Sequence, residues 1–153
     1  MVNIRPVRKD EVQKFQDLND EIFIDNSKYD PDLKIDWAQS SFGRDYFTEA
    51  LNNPESICFL AEENDNAIGY IFAAPKLNNS RLSKYIEIEN MGVSPDYRSK
   101  GIGHQLIEKV LEDAKKKGFQ RICVNSYSDN IKAIDFYEKN GFKKIDVSLE
   151  RDI

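Results

Sequence analysis

The sequence predicts a mixed α/β (α+β) fold, a single domain over residues 1–153 with a central, mostly antiparallel mixed sheet flanked by helices. Three observations predict it. Strand-like and helix-periodic segments follow one another in the order β-α-α-β-β-β-α-β-α-β. One strand–helix–strand crossover sits inside an otherwise meandering series of strands, which calls for one parallel pair in an antiparallel sheet. The chain has 153 residues, 40% hydrophobic and 32% charged, enough to bury one substantial core and far from the composition of a disordered chain.

Residues 2–7 read as a short strand closed near Pro6. Asp10 with Gln13 has the spacing of a capping box, and Val12, Phe15 and Leu18 recur at helical spacing, so a helix is expected over 11–20. Residues 25–39 are polar and aperiodic and read as loop. Phe42, Tyr46, Phe47, Ala50 and Leu51 share one helical face up to Asn53-Pro54. Residues 57–62 and 67–74 form a hairpin around Glu63-Asn64-Asp65-Asn66, with Pro75 ending its second strand and 76–84 a polar connection. Residues 85–93 are the next strand. Leu106, Ile107, Val110, Leu111 and Ala114 mark a helix ending at Gly118. A buried-type strand over 121–126 and a helix over 131–140 follow. Ile145, Val147 and Leu149 alternate, giving a final strand over 142–149.

A net charge of −5 argues against a general nucleic-acid binder. No apolar run reaches the ~18 residues of a membrane span, and residues 1–10 lack the apolar core of a signal peptide. Cys58 and Cys123 sit singly in apolar runs without metal spacing, as buried reduced thiols do. A cytoplasmic protein with no metal, no membrane partner and no nucleic-acid partner is expected.

The chemistry concentrates at the junction of the 85–93 strand and the helix after it. Gly101 and Gly103 open the helix with little side-chain bulk, so unpaired N–H groups and the positive dipole end form a ready anion site, suited to a pyrophosphate. Arg98 and Lys100 add positive charge. The loop is not a dinucleotide fingerprint, since Leu106 stands at the third glycine's place, and no Gly-Lys-Ser/Thr makes it a Walker loop.

Arg98-Ser99-Lys100-Gly101-Ile102-Gly103 resembles the Arg/Gln-x-x-Gly-x-Gly/Ala pyrophosphate loop of the GNAT superfamily of acyl-CoA-dependent N-acetyltransferases. Asn130, Ala133, Phe136, Tyr137, Gly141 and Phe142 resemble its later signature, and Met91-Gly92-Val93 the strand end before the loop. The similarity is strong over 86–142. It implies acetyl-CoA as acyl donor, with the 85–93 strand splayed from its neighbour so that backbone groups of Met91 and Val93 pair with the pantetheine arm and Gly92 marks the divergence. It further implies Arg98, Ser99, Lys100, Gly101, Ile102, Gly103 and His104 around the pyrophosphate, with Asn125, Asn130, Ala133 and Tyr137 along the coenzyme arm.

Tyr137 is the implied general acid for the leaving thiolate; its competing reading is a core aromatic. Glu87 and Glu89, which strand alternation places on the face of Met91 and Val93, are the candidate bases, with Glu89 preferred; the competing reading is a solvated or ion-paired glutamate. His104, the only histidine, fits a surface or phosphate-side role. Seven acids (Asp17, Asp20, Glu21, Asp25, Asp30, Asp32, Asp36) face only Lys28 and Lys34 where the resembling family builds its acceptor wall. An N-acetyltransferase acting on a primary amine by direct attack is expected, with a polyamine or other cationic small amine as acceptor. A protein N-terminal or lysine acetyltransferase and a non-catalytic acyl-CoA sensor stay open. The partners are thus acetyl-CoA, a small-molecule or peptide amine and, as an open alternative, a second copy in a homodimer.

Overall fold

The computed structural model describes residues 1–77 and 80–153. Five strands, β1 (Asn3–Pro6), β2 (Ile57–Glu63), β3 (Asn66–Lys76), β4 (Tyr85–Val93) and β5 (Arg121–Val124), form one sheet in the order β1-β2-β3-β4-β5. The first three pairings are antiparallel, and β4 with β5 is parallel, joined by a helical crossover. Helices α1 (Val12–Asn26) and α2 (Ser41–Asn52) cover one face; α3 (Ile102–Lys116) covers the other, with α4 (Ile131–Lys139) beside it.

Strand alternation sorts the apolar residues into two cores. Phe59, Ile71, Ile86 and Ile88 meet Leu106, Ile107 and Val110 of α3. Leu60, Tyr70 and Phe72 meet Phe15 and Leu18 of α1 and Phe47 of α2. The ring of Phe15 contacts Phe47 edge-on and tilts against Tyr70, with centroids 5.5 and 5.1 Å apart, a geometry the ring quadrupoles favour.

Several expectations change. α1 runs to Asn26, six residues beyond the expected end, because Ile22 and Phe23 find partners distant in sequence: Ile22 lies against Gly92, and Phe23 stacks on Trp37 at 5.3 Å. The Asp10–Gln13 capping box does not form; Asp10 pairs with Arg8, and the buried Glu11 carboxylate accepts from Arg5 (2.7 and 2.8 Å) and from the Arg8 N–H (2.8 Å). β3 passes through Pro75, which pairs with Ile86, and ends at Lys76. The expected connection over 76–84 includes Asn78 and Asn79, which lie outside the described residues. Trp37–Gln39 is a short 3₁₀ turn inside the expected loop. No strand forms over 142–149: residues after Phe142 are exposed and without regular structure, since a lone strand needs a partner ladder and this one has none among the described residues.

Candidate active site

The sheet opens between β4 and β5. Their ladder runs from Tyr85↔Arg121 to Ile88↔Val124 and stops there. At the same point β4 carries a bulge: Phe72 pairs with Asn90 and Ala73 with Ile88, leaving Glu89 as the extra residue. A bulge bends its strand and raises the local twist, so β4 leaves β5 from Glu89 onward. The divergence therefore begins at Glu89, not at Gly92. Gly92 instead admits α1, since a Cβ there would lie 2.3 Å from Ile22 Cδ1.

The extra residue also overturns the expected strand parity. Met91 and Val93 pack with Ile86 and Ile88 against the α3-side core, whereas Asn90 and Glu89 reach the α1/α2 side. There Asn19 Nδ2 donates to the Tyr70 hydroxyl (2.7 Å) and to Asn90 Oδ1 (2.9 Å). Asn90 Nδ2 donates to the Tyr46 hydroxyl (3.2 Å), and that hydroxyl donates to the Glu89 carboxylate. Burial, then Glu89, pushes the Tyr46 phenol well above its usual value, and burial raises Tyr70; both stay protonated at neutral pH, so Tyr46 acts as a donor. Asn19 is fully buried and its Oδ1 has no partner among the described residues.

Glu89 is exposed at the end of this chain of hydrogen bonds. Glu87 is engaged elsewhere, accepting from Asn125 Nδ2 (2.7 Å) and Lys76 Nζ (3.3 Å). Of the two candidate bases, Glu89 is the one beside the opening.

The loop between β4 and α3 supplies the anion cradle. Ser99 and Gly101 both adopt positive φ, 62° and 79°. Gly101 takes the N-cap position of α3, and no side chain caps the helix. The first helical hydrogen bond is from Gln105 N to Gly101 O, so the N–H groups of Ile102, Gly103 and His104 point out of the helix end without helical acceptors. A Cβ at Gly101 would meet nothing within 4 Å, while one at Gly103 would lie 3.0 Å from Cζ of Phe136. Gly101 thus faces open space, and the missing Cβ of Gly103 lets α3 and α4 approach.

The basic residues are tethered. Arg98 donates from Nε to Val93 O (2.8 Å) and from Nη2 to Asp25 (2.7 Å), and Lys100 lies over the Tyr97 ring at 4.9 Å. His104 Nδ1 is 2.6 Å from Asn140 Oδ1. Asn130 caps α4, accepting from Ala133 N (3.2 Å). Tyr137 packs edge-on with Phe136 and Phe142, and burial pushes its phenol up to about 12. Above the opening, Tyr29 stacks on Tyr127 at 5.8 Å and Asp30 accepts from the Tyr127 hydroxyl (3.2 Å), which ties the α1–α2 loop to the β5–α4 loop.

The sequence reading missed the Asn19–Asn90–Tyr46 chain. Its one local signal is Asn19 itself, a polar residue on the apolar stripe of Phe15, Leu18 and Ile22.

Residues 14–142 match the model of the acetyltransferase (GNAT) family. An uncharacterized N-acetyltransferase of Methanocaldococcus jannaschii is 30% identical over 145 residues, 94% of this chain and 62% of that protein. Streptothricin acetyltransferase A of Bacillus subtilis is 27% identical over 110 residues, 69% of this chain and 64% of that protein. The chain thus spans less than two thirds of the length of these two relatives. Among solved structures, the aminoglycoside N-acetyltransferase AAC(6')-Iy with the bisubstrate analogue CoA-S-monomethyl-acetylneamine superposes with a TM-score of 0.75 at 20% identity, over 100% of this chain and 99% of that one.

Proposed function

Because the chain belongs to the acetyltransferase (GNAT) family, we propose that it transfers acetyl from acetyl-CoA to the nitrogen of a primary amine by direct attack, with a cationic small amine as acceptor. The observation that carries this reading is the opening between β4 and β5 beyond Ile88 and Val124, with Glu89 on its rim and the uncapped end of α3 beside it. Acetyl-CoA fits these residues. The outward N–H groups at the start of α3 and the open space at Gly101 suit a pyrophosphate, and the β4 segment freed from β5 offers unpaired backbone to an extended arm. Acetyl-CoA supplies the thioester; this chain's residues position it and move protons.

Holding amine and thioester together in the cleft accounts for much of the acceleration. Glu89, oriented by Tyr46, takes up the proton the amine must lose. A backbone N–H of the freed β4 segment near Val93 polarises the acyl oxygen. Tyr137 donates to the departing sulfur. Its raised pKa keeps the phenol protonated throughout the neutral range, so the donor is present at every working pH. Full transfer to a thiolate of ordinary pKa ~8.5 is uphill from such a phenol; the hydrogen bond to developing charge is the stabilising element.

The acceptor assignment rests on charge. Among the described residues, only Asp25 of the seven acids between Asp17 and Asp36 forms an ion pair, which leaves a negative field on the acceptor side. The aminoglycoside and streptothricin acetyltransferases it resembles are named for cationic antibiotics, which supports the same class. A thiol-release assay over polyamines, aminoglycosides, neutral monoamines and peptides tests the proposal. Higher kcat/KM for spermidine-like amines is expected, with an advantage that shrinks as the Debye length falls from ~10 Å at 0.1 M to ~3 Å at 1 M salt. Equal, salt-insensitive use of neutral and cationic amines would reduce the acidic segment to surface. Activity on peptides alone would move the function to protein acetylation, and binding of acetyl-CoA without turnover on any amine to sensing.

A further inference from the structure

Glu89 is held by less than its neighbours are. It is the extra residue of the β4 bulge, matched by no residue of β3, and it is exposed. A proton acceptor gains from proximity only when its carboxylate is fixed, and here the Tyr46 phenol does the fixing. The Tyr46 ring packs edge-on against Trp37, Phe47 and Phe72, with centroids 5.4, 5.0 and 5.6 Å away. With the ring held, the hydroxyl proton is what remains free to turn. That one proton can go to Glu89 or to a competing acceptor.

What Asn90 presents to Tyr46 decides between them. Asn90 Nδ2 donates to the Tyr46 oxygen (3.2 Å), so the phenol gives its proton to Glu89. Turned end for end, Asn90 would present its oxygen instead and compete with Glu89 for that proton. Asn19 prevents the reversal. Its NH2 group donates to Asn90 Oδ1 at 2.9 Å, which requires an oxygen there, and to the Tyr70 hydroxyl at 2.7 Å. The fold is not helped by this amide. Asn19 lies on the apolar stripe of Phe15, Leu18 and Ile22, is 0% exposed, and has no partner for its Oδ1 among the described residues. A buried amide with an unmet acceptor destabilises a core.

We infer that Asn19 is a positioning residue for the proposed reaction. Acting through Asn90, it sets the direction of the Tyr46 hydroxyl and so holds the Glu89 carboxylate in place beside the opening between β4 and β5. The inference rests on the reading of Glu89 as the group that takes the amine proton. It also explains why α1 keeps a buried amide where leucine would simply extend the core: the amide lowers stability and orders the site.

Asn19→Leu alone would strand the buried Tyr70 hydroxyl, so the substitution is tested in a Tyr70→Phe background, where Asn19 keeps its bond to Asn90. Against that reference, Asn19→Leu should lower kcat about ten- to a hundredfold, with KM for acetyl-CoA unchanged. Tm should hold or rise, because an apolar group of similar size replaces an unsatisfied polar one. Asn90→Leu, at a half-buried position of the otherwise wild-type chain, breaks the same hydrogen-bond chain one link nearer Glu89 and should lower kcat as far. Added to Glu89→Gln, the pair Asn19→Leu and Tyr70→Phe should change kcat by less than about twofold, since groups that act as one unit are not additive. A kcat that survives Asn19→Leu or Asn90→Leu, a loss that multiplies with that of Glu89→Gln, or a fall in Tm with turnover per folded molecule intact would each overturn the inference and leave the acetyltransferase reading standing. A wild-type chain that releases no thiol with any amine would overturn both.

Discussion

Gly101 and Gly103 stand two residues apart in one motif, and the structure gives them different work, so substitutions there should separate binding from packing. At Gly101 the backbone is left-handed, with φ 79°, and an added Cβ meets only open space. Alanine would therefore cost the fold about 1 kcal/mol of backbone strain, a shift in Tm of about 2–4 °C for a domain of this size. The new methyl would occupy the space offered to the pyrophosphate. A loss of about 1.4 kcal/mol of affinity, tenfold in Kd, is expected. At Gly103 the Cβ would lie 3.0 and 3.2 Å from Cζ and Cε2 of Phe136. Valine adds further bulk against the same ring, and overpacking of this kind costs about 1–3 kcal/mol, so Gly103→Val should lower Tm by about 2–12 °C. It should weaken acetyl-CoA binding at least tenfold only as far as α4 is displaced. Calorimetric titration with acetyl-CoA and thermal denaturation, run on both variants, read the two effects separately. Unchanged affinity in Gly101→Ala would remove the loop from the cofactor site; an unchanged Tm in Gly103→Val would refute the packing role.

Other consequences follow from the same geometry. Tyr137→Phe keeps the ring and its contacts with Phe136 and Phe142, so kcat should fall ~10²-fold with acetyl-CoA affinity little changed; near wild-type turnover would return Tyr137 to packing. With its phenol near 12, the wild-type rate should show no falling limb from this group below about pH 10. Glu89→Gln should depress kcat most at lower pH, where free amine is scarce, and a uniform loss across pH, or none, would count against a proton-accepting role. Glu11 and Glu62 are held below the usual carboxylate range, in each case first by the hydrogen bonds from Arg5. A lowered folded pKa gives stability that is complete above the unfolded value of ~4.3 and lost as pH falls below it. Glu11→Gln should thus cost about 2–3 kcal/mol at pH 7 and flatten the acid limb of a stability–pH curve; equal acid sensitivity in both proteins would show that the network does not carry it.

What the sequence revealed, and what it concealed, divides by range. The strands at 57–62, 67–74 and 85–93 and the helix after Gly101 were readable because their apolar periods are local, and the glycine loop because its chemistry is contiguous. The end of α1 was not, since Ile22 and Phe23 are held by Gly92 and Trp37, far along the chain. Strand parity failed at Glu89 because a bulge is a property of two strands, and β4 alone contains no sign of the mismatch with Phe72 and Ala73. The engagement of Glu87 by Asn125 and Lys76 needs three elements assembled. The alternation at Ile145, Val147 and Leu149 predicted a strand that does not form, because no strand among the described residues offers it a ladder.

Glu89 is the residue β3 does not match, and this count of one has a consequence for changing the enzyme. Its side chain is the acid at the rim, while its backbone is the surplus that turns β4 away from β5. Substitution can erase the first and keep the second, leaving a chemically silent cleft of native shape. Deletion would erase both, restoring an unbroken ladder in which Met91 and Val93 keep Ile71 and Gly69 as partners on the α3 side and β4 loses the bend that turns it from β5. Under the proposed function, reactivity and aperture are thus encoded at one position, and a lineage that kept the length of this strand could lose its chemistry and still retain a place for the ligand.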